Sequence, residues 1–217
     1  MSLRLVYLLI ASFIISSCCK TDCANTYLIK GVVVEKSTTL PCVGFEVTLE
    51  EQVLENGILN GFFETAGETT TDDFGEFSIS FPRKSALEYR LKIESDGWFT
   101  IVKELDPEGF TPDSPVHVNL EATPKSQLTI KVINSSPSYE SDKVRVRMLS
   151  DFGEFTDCGN DWFVFEGANI DEEINCTLPG DKWMSYLFIN QSYDEDIQVV
   201  DSIFCAAFET NVIEINY

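Results

Sequence analysis

The chain is poor in histidine and in basic residues. It has one histidine among 217 residues, and 15 Lys and Arg against 36 Asp and Glu. A formal net charge of -21 excludes nucleic acid as an expected partner, because phosphates are held by Lys and Arg. No Cys-x-x-Cys pair, Gly-x-Ser-x-Gly turn or His-Glu-x-x-His motif occurs. The sequence therefore predicts a protein that is not an enzyme and holds no cofactor or metal.

The one long apolar run lies at the N-terminus, where residues 5–15 follow Arg4. This run is too short to cross a bilayer and is typical of a secretory signal. It ends in Ile15-Ser16-Ser17-Cys18, which resembles a bacterial lipobox. The resemblance implies a signal peptide over residues 1–17 and a diacylglycerol, with palmitate-type acyl chains, on Cys18. The alternative is an ordinary signal peptide that ends near a cysteine.

Residues 18–25 read as a short tether. Lys20 and Asp22 in this segment are similar to the surface-export signal of Bacteroidota lipoproteins. The resemblance implies a lipid-anchored protein of the outer membrane, displayed on the cell surface, with the membrane itself as a partner through the lipid. The periplasmic face of the same membrane is the alternative location.

Residues 26–122 alternate apolar and polar side chains in short runs and show no helical period. Phe77, Ile79 and Phe81, for example, share one side of a predicted strand that follows the turn at Asp72. Several such runs separated by turn residues are typical of a seven-stranded β-sandwich.

Several residues spaced along this segment form a pattern that resembles that of the carboxypeptidase regulatory-like domain, which is a transthyretin-like β-sandwich. They are Gly31, Pro41 with Gly44, Thr71-Asp72 with Gly75 and Phe77, and Gly97-Trp98. The resemblance implies a fold and a scaffold role for residues 26–122, and no carboxypeptidase activity. Asp72 is accordingly interpreted as a turn-former rather than a site residue.

A boundary is predicted at residues 122–125, where Pro124 separates two alternating segments. Leu128, Ile130 and Val132 then start a new series of short alternating runs. The fold class predicted for the chain is therefore all-β, with two tandem β-sandwiches over residues 26–122 and 126–217. The second sandwich resembles the C-terminal β-domains of such lipoproteins by architecture only.

Six cysteines besides Cys18 would reach an oxidising compartment in an exported chain. Cys23 with Cys42 is one candidate disulfide, and two of Cys158, Cys176 and Cys205 form another. Cys19 is a poorer lipidation candidate than Cys18, because it would place Cys18 in a position that takes a small residue.

Trp162 and Trp183 are the candidate ligand-binding residues. Each begins a predicted strand close to an aspartate, as is common where proteins bind glycans or peptides. Burial in the core is the competing interpretation for both. The acid-rich segment 151–161 is an alternative calcium site, weighed against a solvated loop. His117 is interpreted as an exposed strand residue.

Three functions follow from these features. The first is a surface binding or adhesion module, or an accessory subunit of an outer-membrane assembly, whose partners are envelope proteins or glycans. The second is a structural spacer without a specific ligand. The weakest is an enzyme with an unrecognised site.

Overall fold

The computed structural model describes residues 26–55, 58–59, 61–112, 114–192 and 196–217, all of them in strands, turns and short 3-10 segments. The predicted signal peptide and tether, with Cys18, Cys19 and Cys23, lie outside these residues. No helix within the described ranges is long and apolar enough to cross a membrane. Two β-sandwiches follow one another along the chain, which confirms the predicted fold class.

Among the described residues the first sandwich has eight strands, one more than the predicted seven, because a two-residue strand pairs with the end of the second strand. The strands are β1 (Thr26–Glu35), β2 (Glu46–Glu55), β3 (Ile58–Leu59), β4 (Glu64–Thr70), β5 (Glu76–Pro82), β6 (Ala86–Glu94), β7 (Ile101–Leu105) and β8 (Val116–Ala122). Sheet A has the order β5-β1-β8, and sheet B has the order β3-β2-β6-β7 with β4 also paired to β2.

The second sandwich has seven strands. They are β9 (Lys125–Ile133), β10 (Lys143–Met148), β11 (Phe163–Glu166), β12 (Asp171–Pro179), β13 (Lys182–Asn190), β14 (Ile197–Cys205) and β15 (Thr210–Asn216). Sheet C has the order β12-β9-β15, and sheet D has the order β11-β10-β13-β14.

The two sandwiches share one topology. In the first sandwich, β1 pairs antiparallel with β5 and parallel with the last strand, β8. In the second, β9 pairs antiparallel with β12 and parallel with the last strand, β15. Sheets B and D likewise place corresponding strands in the same order, β4-β2-β6-β7 and β11-β10-β13-β14. Each strand of the second sandwich therefore has a counterpart in the first, and only the short β3 has none.

Alternation along the strands gives each sandwich its own core. In β5, Phe77, Ile79 and Phe81 point inward while the residues between them are exposed, as the sequence predicts. Gly31 lies opposite Phe77 in the β1–β5 register and leaves room for that ring. In the second core, buried side chains of β9, β10, β13 and β15 meet between sheets C and D.

The turn before β5 is organised by Asp72. Its Oδ1 accepts hydrogen bonds from the backbone N–H groups of Phe74 and Glu76, both at 2.9 Å. Gly75 has φ +72, a left-handed conformation that glycine adopts without strain. A Cβ there would also lie 2.4 Å from the Val33 carbonyl oxygen. The turn is thus a scaffold feature, which agrees with the interpretation of Asp72 as a turn-former.

Only Thr123 and Pro124 separate β8 from β9, and both sandwiches bind this linker. On the first side, the Phe99 N–H donates to the Thr123 carbonyl at 3.0 Å. On the second side, the Gly180 N–H donates to the Pro124 carbonyl at 2.8 Å. Backbone bonds from both domains hold the linker in one conformation, which restricts bending between the sandwiches.

Aromatic rings pack across the same junction. The Trp98 ring lies 5.1 Å from Phe45 of its own sandwich and 5.3 Å from Phe208 of the other. The Phe99 ring lies 5.1 Å from Phe155, centroid to centroid. Trp98 therefore packs against rings of both domains and connects them.

Candidate functional site

The described cysteines form one disulfide. Cys158 and Cys176 are bonded, with a Cα–Cα distance of 5.5 Å, and the bond ties the loop before β11 to strand β12. Cys205 is buried and unpaired. Burial raises the pKa of the Cys205 thiol, so little thiolate is present near neutral pH.

Cys42 is also buried as a free thiol. Burial first, and the Glu35 carboxylate second, raise its pKa to about 11. The pairing of Cys42 with Cys23 stays a prediction, because Cys23 lies outside the described residues. On the described side, the Cys42 N–H donates to the Val33 carbonyl of β1 at 3.0 Å.

Trp183, the first of the two predicted ligand-binding tryptophans, is solvent-exposed. It lies near the start of β13 with 64% of its surface accessible, and its ring is 5.6 Å from that of Phe204 on β14. Phe204 is itself 42% exposed. The core interpretation is therefore wrong for Trp183, which forms an exposed aromatic pair.

Trp162, the second, is half-buried just before β11. Its ring is covered by two arginines of β10. The guanidinium carbon of Arg145 lies 5.0 Å from the ring centroid, and that of Arg147 lies 5.3 Å from it. Guanidinium groups in this position are attracted by the aromatic ring. Trp162 therefore belongs to neither the core nor an open aromatic surface, but to an arginine–tryptophan cluster.

Cross-strand register places this cluster on the outer face of sheet D. Arg145 lies opposite Val164 on one side and Ile189 on the other, and Arg147 lies opposite Leu187. Leu187 in turn lies opposite Val200. We define the outer face of sheet D by these outward side chains: Arg145, Arg147, Trp162, Val164, Trp183, Leu187, Ile189, Val200 and Phe204.

Apolar groups on this face are in contact with solvent. Val164 is 50% exposed and Val200 is 66% exposed. Large exposed apolar patches are uncommon on monomeric soluble proteins and mark interaction sites. Lys143 of β10 pairs with Glu166 of β11 at 3.1 Å, whereas neither Arg145 nor Arg147 forms an ion pair with a carboxylate within the described ranges.

The corresponding face of sheet B provides an internal comparison, since the two sheets share a topology. Its outward side chains on β2 and β6 are polar and charged, and they pair with each other. Arg90 binds Glu50 at 2.6 Å, and Lys92 binds Glu94 at 2.7 Å. The central strands of the two sheets thus differ in surface chemistry, although the outer face of sheet B also exposes Val102 and has Arg90 over the Phe63 ring. The shared topology alone therefore does not require apolar residues at the centre of sheet D.

The other predicted candidates lie elsewhere. His117 is exposed on the outer face of sheet A, beside a shallow groove of about 460 Å³ that Lys30 and Asn119 also line. Within segment 151–161, Asp151 and Asp157 accept backbone hydrogen bonds from Gly153 and Thr177. Across the described part of the chain, no group of three His, Cys, Asp or Glu residues is placed to hold a metal ion.

Arg145 and Arg147 are functional candidates that the sequence analysis did not single out. The signal available was their spacing: Lys143, Arg145 and Arg147 alternate with buried Val144, Val146 and Met148, so the cations share one side of β10. That pattern shows a charged strand face. It does not show that a tryptophan from a different strand lies over it.

Comparisons with known proteins identify no family. No protein-family model and no curated protein matches the chain. Among solved structures, the chain is similar to a streptococcal ancillary pilin, with 12% identity over 90% of this chain and 63% of that one, and a TM-score of 0.34. The chain thus spans less than two thirds of the ancillary pilin's length.

Two further structures match at a comparable level. The shaft pilin SpaA of Lactobacillus rhamnosus GG has 10% identity over 88% of this chain and 97% of that one, with a TM-score of 0.32. A 9R-lipoxygenase from Cyanothece has 14% identity over 54% of this chain and 20% of that one, with a TM-score of 0.33. Scores of this size do not establish a common fold, so function has to be argued from the chain's own residues.

Proposed function

We propose that the protein is a non-catalytic, lipid-anchored cell-surface module that binds a partner through the outer face of sheet D. The observation that carries this proposal is the contrast between sheets B and D. On the central strands β2 and β6 of sheet B the outward charges are paired, whereas sheet D exposes Trp183, Val164 and Val200. Burying such side chains against a partner is favourable by roughly 25 cal/mol per Å² of apolar area.

The first sandwich serves in this proposal as the scaffold that carries the second. Its landmarks from the carboxypeptidase regulatory-like resemblance have packing roles: Gly31 lies under Phe77, and Asp72 closes a turn. Hydrogen bonds from both sandwiches to the linker restrict the orientation of the second sandwich relative to the first. In this proposal the lipid on Cys18 holds the two domains in the outer membrane, on its cell-surface side.

Changing Cys18 to Ser is expected to move the protein from the membrane fraction to the soluble fraction. A serine hydroxyl cannot accept the diacylglycerol, and acyl chains contribute about 0.8 kcal/mol per buried CH₂ to membrane binding. Fractionation with immunoblotting measures the change, and Cys19→Ser is the matched control that leaves the anchor in place. Retention of the Cys18 variant in membranes would show that another element anchors the chain.

Replacing both Val164 and Val200 with serine is expected to weaken partner retention by at least about tenfold, since each valine contributes roughly 1 kcal/mol or more when buried. Affinity purification from native membranes, with the retained component quantified for each variant, measures this loss. The matched control is the pair Val43→Ser and Val102→Ser. Those valines are 53% and 54% exposed, and they belong to the first sandwich.

Equal retention by the two valine pairs would remove the binding proposal and favour the second candidate, a structural spacer. One observation supports that alternative: the linker at Thr123 and Pro124 is fixed by backbone bonds from both domains. A spacer needs this rigidity and no particular surface chemistry, so it would tolerate changes on either sheet.

A further inference from the structure

We propose that the cluster of Arg145, Trp162 and Arg147 recognises the carboxylates of an acidic polypeptide in an extended conformation. The inference rests on the proposed binding role of sheet D and names the chemistry of the partner. It places carboxylate groups on the two guanidiniums, and apolar side chains of the partner over Leu187 and Val200.

The arginines are held in a defined orientation. Both guanidiniums lie over one Trp162 ring, at 5.0 and 5.3 Å from its centroid. A planar guanidinium that is already stacked loses less conformational freedom when it binds a carboxylate. Arg145 and Arg147 are the only arginines of the second sandwich. Their location on one ring, in a chain that is strongly acidic overall, concentrates positive charge at one place.

The guanidiniums also have unused hydrogen-bonding capacity. The Nε atoms of Arg145 and Arg147 are buried, and neither has an acceptor among the described residues. Both arginine residues are half-buried, so the other donors of each guanidinium would meet a carboxylate in a partly desolvated setting, where charge-assisted hydrogen bonds are stronger than in water. A carboxylate is the acceptor whose two oxygens match the fork of donors on a guanidinium.

The spacing of the arginines fits an extended chain. They are alternate residues of β10, so their Cα atoms lie about 6.6 Å apart along the strand. Alternate acidic residues of an extended polypeptide have the same repeat. A partner strand lying along β10 therefore brings successive carboxylates to Arg145 and Arg147 in register.

Neighbouring side chains favour a polypeptide over an acidic glycan. Sugar rings stack on open aromatic faces, but two arginines already lie over the Trp162 ring. The positions beside the cluster are branched aliphatic side chains, Val164, Leu187 and Val200, which complement the aliphatic and aromatic side chains of a peptide.

The test measures binding of the full mature chain to a copolymer of glutamate and tyrosine by biolayer interferometry, at low and high salt. Polygalacturonate and poly-lysine are the comparison polymers. The variant is Arg145→Gln with Arg147→Gln, and the control is Lys131→Gln with Lys182→Gln. Both double variants remove two positive charges from the second sandwich, so an effect of net charge alone is the same in each. Thermal unfolding of every variant verifies the fold.

We expect wild type and the lysine variant to bind the copolymer equally, and the arginine variant to bind at least about tenfold more weakly, since charge-assisted bonds are lost. An arginine variant that binds as well as wild type overturns the inference, as does a wild type that binds no acidic polymer. Arginine-dependent binding of polygalacturonate in preference to the copolymer replaces the polypeptide with a glycan. If the arginine variant unfolds, Arg145→Lys with Arg147→Lys keeps the charge and removes the planar fork, and the same tenfold loss is expected.

The two proposals fail independently. The valine pair Val164 and Val200 tests whether sheet D binds the native partner, and the arginine pair tests what chemistry it prefers. Loss of native-membrane retention in the valine variant, together with unchanged copolymer binding in the arginine variant, would keep the proposed function and remove the acidic-polypeptide inference.

Discussion

Replacing Gly31 with alanine is expected to lower the free energy of unfolding by about 2–3 kcal/mol, because the new methyl group has no space. A Cβ at this position would lie 2.4 Å from the Phe77 ring and 2.4 Å from the Val118 carbonyl oxygen. Phe77 is 5% exposed inside the first core, and Val118 is held in the pairing of β1 with β8. Neither group can move without disturbing a sheet. Urea-induced unfolding followed by tryptophan fluorescence measures the change.

The control for this substitution is Gly109→Ala. A Cβ at Gly109 meets no atom within 4 Å, and the residue lies in a short 3-10 segment at the surface. Its expected effect is within about 0.5 kcal/mol. Equal free energies of unfolding for the two variants would show that Phe77 does not pack closely against β1 at Gly31.

Removing the disulfide by changing Cys158 and Cys176 to alanine is expected to lower the free energy of unfolding by about 3 kcal/mol, since the bond closes a loop that is open in the unfolded chain. The two cysteines are separated by 18 residues. Phe155 lies three residues before Cys158, and its ring packs on Phe99 of the first sandwich. Loosening of the chain around Cys158 should therefore also weaken the packing at the domain junction.

Comparison of oxidised and reduced protein completes this experiment. Dithiothreitol should lower the urea midpoint of wild type to that of the alanine variant and leave the variant unchanged. Peptide mapping under non-reducing conditions identifies the bonded pair. A wild type that is insensitive to the reductant, with both thiols free, would contradict the disulfide.

The strands could be predicted because apolar and polar residues alternate along each of them with a period of two, and this pattern needs no information from other parts of the chain. Phe77, Ile79 and Phe81 identify the inward side of β5 with no knowledge of its neighbours. The same pattern in β10 gives the inward side from Val144, Val146 and Met148. The boundary was predicted from a similarly local signal, because Pro124 interrupts the alternation between the segments that form β8 and β9.

The pairing of strands could not be predicted, since alternation shows which side faces the core but not which strand is adjacent. The shared topology of the two sandwiches depends on this pairing, and so does the candidate site. Nothing in the sequence indicates that Trp162 contacts Arg147. The antiparallel pairing of β10 with β11 brings the two side chains together. The exposure of Trp183 likewise depends on which side of sheet D remains uncovered.

The parallel pairing of β1 with β8, and of β9 with β15, has a mechanical consequence. In each sandwich the chain enters at one end of the first strand and leaves at the opposite end of the last strand, which lies beside it. With the proposed lipid on Cys18 and the proposed partner on sheet D, tension would pass through the whole first sandwich and pull β1 and β8 in opposite directions along their length. All hydrogen bonds of the pair would then be loaded in shear at once rather than opened one by one, a geometry that suits a module holding a ligand under load.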